Sequence, residues 1–241
     1  MTEAIKFPKT RRATEVFKEE TPPEWKRAYA AVEEKLDGAN AGVWFERGEM
    51  RLQSRGHVLH GNSGAQFAPF HAWAHERGDL FRTWLGDKCV LYGEWLFAKH
   101  RAFYDALPDL FVGYDVLDRK TGNFLSSLAR NRILTACRVQ PVASLWMGAY
   151  AKAPAFGGLI GLSRYKTPRW REALLEEARR SGVRDPMDET DDSDLAEGVV
   201  VRVESGPYVV GRFKLHREGF EKVSSEHWRE RPLIRNRVRT V

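Results

Sequence analysis

The sequence predicts an α+β (mixed α/β), antiparallel-rich domain with helices packed around its sheets, and three observations carry that prediction. Strand-like segments come in pairs joined by short glycine turns, and amphipathic helices stand between the pairs. Nowhere do strand and helix alternate regularly, as a doubly wound parallel sheet requires.

The elements follow in order. After an N-terminal segment punctuated by Thr21-Pro22-Pro23, the run Tyr29 to Leu36 reads as a strand that ends at the turn Asp37-Gly38. Gly42 to Arg47 and Met50 to Arg55 alternate in polarity and meet at Gly48, which makes them a β-hairpin. A Gly- and Ser-rich loop, Gly56 to Gly64, leads into a helix over Gln66 to Arg77. Pro69 falls in its first turn, where a missing N–H is tolerated. Lys88 to Leu96 and Phe111 to Asp118 are strands, the second followed by the turn Lys120-Thr121-Gly122-Asn123. Ser126 to Arg138 and Pro168 to Arg180 have helical spacing, the latter opened by Pro168 and closed by Gly182. The last strand pair is Glu197 to Val203 and Tyr208 to Leu215, turning through Ser205-Gly206-Pro207. Before it, the acidic run Asp185 to Asp194 reads as a solvated, mobile loop. It lacks the Gly and terminal Glu that a calcium loop needs at fixed offsets.

With 241 residues, 42% of them hydrophobic, the chain has material for one large core. No apolar run approaches the roughly 20 residues of a membrane span. The charged N-terminus has no secretory apolar stretch, so a cytoplasmic, membrane-free protein is expected. Cys89 and Cys137 lie far apart in no ligand motif and are expected to be small buried hydrophobes rather than a disulfide or zinc site. The seven His show no ligand spacing, and most are expected at the surface. A formal charge of +6 suits a polyanionic partner, because phosphate binding releases counterions.

The chemistry centres on Glu34-Lys35-Leu36-Asp37-Gly38-Ala39-Asn40. A lysine at the end of a buried strand, just before an Asp-Gly turn, is held on a rigid edge and points into the cleft that the turn lines. In isolation it is an ordinary surface lysine beside a hairpin turn. It is followed, in order, by Ser54-Arg55-Gly56, Tyr92-Gly93-Glu94, Phe111-Val112-Gly113-Tyr114-Asp115, Glu197-Gly198-Val199-Val200 and Arg212-Phe213-Lys214. In this order the segments resemble the signature of the covalent nucleotidyltransferases, the superfamily of ATP-dependent DNA and RNA ligases and mRNA-capping guanylyltransferases. Asn40 and the spelling Leu91 to Leu96 are similar to the RNA-ligase branch. Arg212 departs from the lysine usual at its position, keeping charge while changing donor geometry.

The resemblance implies an ATP-grasp-like ligase catalytic domain over residues 1–222; the 27 residues after Lys214 are too few for the separate C-terminal domain that most family members add, so a basic tail over 223–241 and no such domain are expected. It implies ATP, with AMP carried covalently on Lys35, and Mg²⁺ or Mn²⁺. The implied substrate is RNA or another nucleic acid with 5′-phosphate and 3′-hydroxyl ends. A monomer is expected, with a protein partner as one source of substrate grip. A DNA nick-sealing ligase, a GTP-using capping-type guanylyltransferase and an inactive nucleic-acid-binding module remain as alternatives.

By the same resemblance Glu94 holds the ribose hydroxyls, Glu197 and Glu94 hold the metal, and Phe111 stacks on the adenine. Glu34 and Leu36 flank the nucleotide, Arg55 grips a phosphate, and Asn40 meets the substrate's 5′-phosphate end. A lysine attacks phosphorus only when neutral, and at its ordinary pKa roughly one in 2500 is neutral at pH 7. Nearby cations are therefore expected to depress Lys35, with a bound metal, Arg55, Arg212 and Lys214 as candidates. Strand alternation puts Arg212 and Lys214 on one face and Phe213 on the other, a placement suited to charge developing on the α-phosphate. The tail, Ser224 to Trp228 followed by Arg229, Arg231, Arg235, Arg237 and Arg239, reads as a nucleic-acid grip or a solvated tail.

Overall fold

The computed structural model describes residues 3–61, 63–220 and 232–239. In chain order its elements begin with a short strand β1 (Arg11–Arg12), a single helical turn α1 (Ala13–Val16) and the strand β2 (Tyr29–Lys35). The hairpin β3 (Ala39–Glu46) and β4 (Glu49–Ser54) comes next, then helices α2 (Ala68–His75) and α3 (Gly78–Trp84). Strands β5 (Cys89–Trp95), β6 (Phe111–Asp118) and β7 (Asn123–Phe124) lead into helix α4 (Ser127–Ala136). Strands β8 (Gln140–Pro141) and β9 (Ser144–Ala149), helix α5 (Trp170–Arg180) and the hairpin β10 (Gly198–Ser205) and β11 (Tyr208–His216) complete the order. Among the described residues no helix is long and apolar enough to cross a membrane.

The turns behave as their residues dictate. Arg47 and Gly48 both take positive φ at the β3–β4 turn, where glycine removes the steric cost at one of the two positions. Ser126 caps α4, its hydroxyl accepting from the Ala129 amide. Pro69 does fall in the first turn of α2.

Two sheets result. The five-stranded sheet runs β1-β11-β10-β2-β9, and the six-stranded path includes β4-β3-β5-β6-β7 with β8 beside β6. Among the named strands of the described residues, β1–β11 and β6–β8 pair parallel and the others antiparallel. Period-two alternation then decides what each sheet buries. The outer face of the five-stranded sheet buries Val32, Val199, Val201, Val203 and Phe213 against Trp25 and Ala13. The outer face of the other buries Val43, Phe45, Leu91, Trp95 and Phe111 against Phe70 and Trp73 of α2, Phe81 of α3 and Leu134 of α4. Charges carried on the inner faces meet between the sheets: Arg130 of α4 reaches Glu33 of β2 at 2.6 Å. Arg202 of β10 pairs with Asp115 of β6.

Two expectations need correction. The Asp185 to Asp194 run is not a solvated, mobile loop. Pro186, Thr190 and Asp191 are buried, Asp192 and Asp194 each bind Arg171 at 2.7 Å, and Asp191 binds Arg217 at 2.6 Å. Its carboxylates find cations supplied by distant parts of the chain, which composition does not reveal. Residues 232–239 are likewise not a solvated tail. They lie across the loop between β5 and β6, Ile234 is buried against Phe103 and Trp170, and Arg237 pairs with Glu176 and Glu177 at 2.9 and 2.8 Å. Ser224 to Trp228, Arg229 and Arg231 lie outside the described residues.

Candidate active site

Lys35 is the last residue of β2, and its register explains its surroundings. It stands opposite Gly198 of β10, which in turn stands opposite His216 of β11. Gly198 has room for no side chain there, since a Cβ would come within 2.0 Å of the Leu215 carbonyl oxygen. The Lys35 amine donates to Glu197 Oε2 at 2.9 Å and to the Leu36 carbonyl at 3.2 Å, and its side chain is 14% exposed. The second oxygen of Glu197 faces His216 Nε2 at 3.4 Å. Glu94 of β5 accepts the Gly38 amide at 3.0 Å, and Gly38 has no space for a Cβ because the Glu94 chain and Leu96 occupy it. The strand end, the Asp37-Gly38 turn and two carboxylates from distant strands thus converge on one amine.

The electrostatics of that convergence oppose one expectation. Burial pulls the Lys35 ammonium down, but the carboxylates of Glu197, Glu94 and Asp37 outweigh it, and the net direction is up. No cation is among the groups that act most strongly on it. Arg212 is occupied elsewhere, 3.1 Å from Asp115 and stacked over Phe7 and Phe124. Arg55 is exposed on the turn after β4. Glu94 is pushed up to about 7, chiefly by burial, with Lys35 pulling it down and Glu197 and Asp37 pushing it up.

The remaining expected residues divide between the cleft and its outside. Arg212, Lys214 and His216 share the inner face of β11, with Phe213 in the outer core, as alternation requires. Lys214 stands opposite Val200, whose other neighbour is Glu33, one same-face step along from the Lys35 row. Asn40 pairs in register with Glu94 and its side-chain amide donates to the Tyr114 hydroxyl. Glu34 is turned to the outer face, where Ser163 Oγ and the Arg164 amide bind its carboxylate at 2.5 and 2.9 Å. Leu36 is buried in an apolar cluster with Leu96 and Tyr104. Neither of these side chains lines the cleft.

Phe111 is also corrected. It is fully buried on the outer face, its ring 4.7 Å from Trp73 and 5.5 Å from Phe70, and presents no face to a base. A bulge explains this: Tyr92 opposes Asp115 and Gly93 opposes Gly113, so Tyr114 is the extra residue of β6. Tyr114 is re-aimed to the inner side, where it meets Asn40 and packs edge-on to Phe7 at 5.3 Å.

Sequence reasoning missed His216, Tyr114, and the ionic lattice of Glu33, Arg130, Asp115, Arg202 and Glu204. His216 was within reach, because it is the next same-face residue after Arg212 and Lys214. Tyr114 was not, because a bulge cannot be read from alternation.

Among the described residues no group of three or more His, Cys, Asp or Glu is placed to hold a metal ion. Glu197 and Glu94 offer two hard oxygen donors beside Lys35. That set fits a cation such as Mg²⁺, which ordinarily binds through one or two carboxylates plus substrate phosphates, and it does not fit an all-protein metal cage.

Comparison with known proteins gives the same direction. The profile of the RNA ligase family matches residues 28–216. No curated protein matches the sequence. A mutant Naegleria gruberi RNA ligase in apo form superposes with a TM-score of 0.58 at 16% identity, covering 89% of this chain and 57% of that one. A mutant of the same enzyme with ATP and Mn gives 0.57 at 16% identity, covering 89% and 56%. Another, with AMP and Mn, gives 0.56 at 16% identity, covering 89% and 57%. The likeness is one of fold, and the chain spans little more than half the length of those ligases.

Proposed function

Since the chain belongs to the RNA ligase family, we propose that it takes AMP from ATP onto Lys35, passes it to a nucleic-acid 5′-phosphate and seals that end to a 3′-hydroxyl. The observation that carries the proposal is the convergence of Lys35, Glu197, Glu94 and the Asp37-Gly38 turn at the open end of the cleft between the sheets.

In the resting site Lys35 is an ammonium and serves as counter-ion to Glu197. Its largest single influence is nonetheless burial, which favours the neutral amine. A divalent cation held by Glu197 and Glu94 would offset these carboxylates and polarise the phosphates. With the carboxylates offset, burial leaves Lys35 the neutral amine that attack on the α-phosphorus requires. The amine forms the N–P bond as the bond to pyrophosphate breaks, and the proton it loses goes to solvent or to pyrophosphate. Lys214 on the inner face is suited to the charge developing on the α-phosphate oxygens. Tyr114 offers an aromatic surface for the base, and Asn40 a contact for the incoming 5′-phosphate end. We read the substrate as RNA, the setting as cytoplasmic and the protein as a monomer, with grip on the strand drawn in part from a protein partner.

Intact mass after incubation with ATP and Mg²⁺ tests the first step. An added AMP that is absent in Lys35→Ala supports the reading, and an unmodified wild-type chain sinks it. Running GTP beside ATP, and nicked DNA beside RNA ends, separates the capping and DNA-ligase alternatives.

A further inference from the structure

The loop between β5 and β6 lies beneath the Asp37-Gly38 turn and grips it. The Asp37 carboxylate accepts the amides of Arg101 and Ala102 at 2.8 and 2.9 Å, and the Asp37 amide donates to the Tyr104 hydroxyl at 2.9 Å. Asp37 is thereby committed to backbone groups and is 8% exposed. Those bonds fix the direction in which the chain leaves β2, and so the aim of Lys35.

The loop has no helix or strand of its own over 96–110, and a row of its backbone hydrogen bonds is made with the C-terminal segment. Asn236, 5% exposed, uses its whole amide on it: Oδ1 accepts the Tyr104 amide at 2.9 Å, while Nδ2 donates to the carbonyls of Leu96 at 2.8 Å and Ala98 at 3.3 Å. Around it, Lys99 N donates to Ile234 O, Asn236 N to Phe97 O, Arg237 N to Tyr104 O and Leu107 N to Arg237 O, all within 3.1 Å. The bonds of Asn236 and of Asp37 therefore fasten the same short loop from opposite sides.

We infer that Asn236 is a positioning residue for Lys35, acting through the 96–104 loop and Asp37. An asparagine is suited to this place because one side chain must both accept from an amide and donate to two carbonyls, which a leucine, serine or carboxylate cannot do. A buried, fully satisfied amide fixes geometry sharply, since any displacement leaves a polar group unpaired. Positioning errors far from the reacting atoms are expressed in the rate of the chemical step. The inference rests on Lys35 being the adenylated residue, and its test separates the two.

The experiment uses the full chain with single-turnover measurement of lysyl-AMP formation at saturating ATP. Asn236→Ala is expected to slow the step by roughly tenfold or more, with the KM for ATP little changed. Because it acts through Asp37, the double variant Asn236→Ala/Asp37→Ala should be no slower than Asp37→Ala alone. A purely structural residue would instead multiply the two losses, and that result, or an undiminished rate in Asn236→Ala, overturns the inference. Should Asn236→Ala fail to fold, Asn236→Asp keeps the acceptor for Tyr104 N, removes both donors, and takes its place. Amide hydrogen exchange at Gly38, Arg101 and Ala102 is measured on the same proteins. If the wild-type chain forms no adduct, the adenylation reading fails and exchange decides alone: faster exchange at these amides in the variant sustains the coupling, and unchanged exchange ends it.

Discussion

The two ends of the cleft hold similar numbers of carboxylates in opposite states. At the closed end Glu33, Asp115 and Glu204 meet Arg130, Arg202 and Arg212, with Glu204 also accepting from Ser127. Arg130 and Arg202 are each 1% exposed there, and further N–H groups of theirs go to the carbonyls of Tyr114 and Leu125 and to Asn131 Oδ1. At the open end Asp37, Glu94 and Glu197 all act on the single amine of Lys35, and no cation is among its strongest influences. A balanced lattice ties the sheets together, because breaking one partner strands a buried charge. A cluster of carboxylates around one amine can take up a cation and a phosphate arriving together. The same element types, on the same inner faces, thus give a fastening at one end and a binding site at the other.

The largest test of that contrast is stability. Arg202→Met should cost on the order of 3–5 kcal/mol, read as a fall in denaturant midpoint, because Asp115 and Glu204 lose a buried partner. Lys35→Met should abolish the adduct and cost less than Arg202→Met, since it breaks one buried ion pair, with Glu197, where Arg202 holds two. Equal losses from the two substitutions would erase the distinction. A second comparison sharpens the division between outer and inner faces of β6. Phe111→Ala should destabilise by about 3–5 kcal/mol through a core cavity. Tyr114→Ala should chiefly raise the KM for ATP, by an amount matching the roughly 1–3 kcal/mol of an aromatic–base stack. An unaltered KM in Tyr114→Ala would remove that residue from the base site.

Glu197→Gln removes a donor from the open end without stranding a buried cation, because Glu94 and Asp37 still face Lys35. Its stability should change by less than about 1 kcal/mol, whereas adduct formation should fall on the order of 100-fold and demand more Mg²⁺. Chelation of Mg²⁺ should stop adduct formation in the wild-type chain without lowering its melting temperature. The smallest effect belongs to Arg237→Ala. Its pairs with Glu176 and Glu177 are partly exposed, so a loss of about 0.5–1 kcal/mol is expected, with the salt dependence of RNA binding unchanged. A reduced salt slope would return Arg237 to the nucleic-acid grip read from its sequence.

The sequence by itself determined what is local. Turn residues marked the β3–β4 hairpin and the ends of β6 and α5, and period-two alternation on β11 separated Phe213 from Arg212 and Lys214. The ordered motifs put Lys35 at a strand end before a turn, and it is there. The edge strand β9 escaped notice because its half-exposed residues leave no clean alternation to read.

Only the tertiary structure decided which charges meet. Glu197 reaches Lys35 across 162 residues of chain, Arg212 is drawn to Asp115 instead of Lys35, and the acidic 185–194 run finds Arg171 and Arg217. One bulge in β6 exchanged Phe111 for Tyr114 at the cleft, and Asn236 came back from the far end of the chain to hold the loop under Asp37. Propensity and periodicity act between residues a few positions apart, so a sequence displays them. Coulomb energy and burial depend on distance in space and on what excludes water, and both are fixed only when the two sheets close on each other.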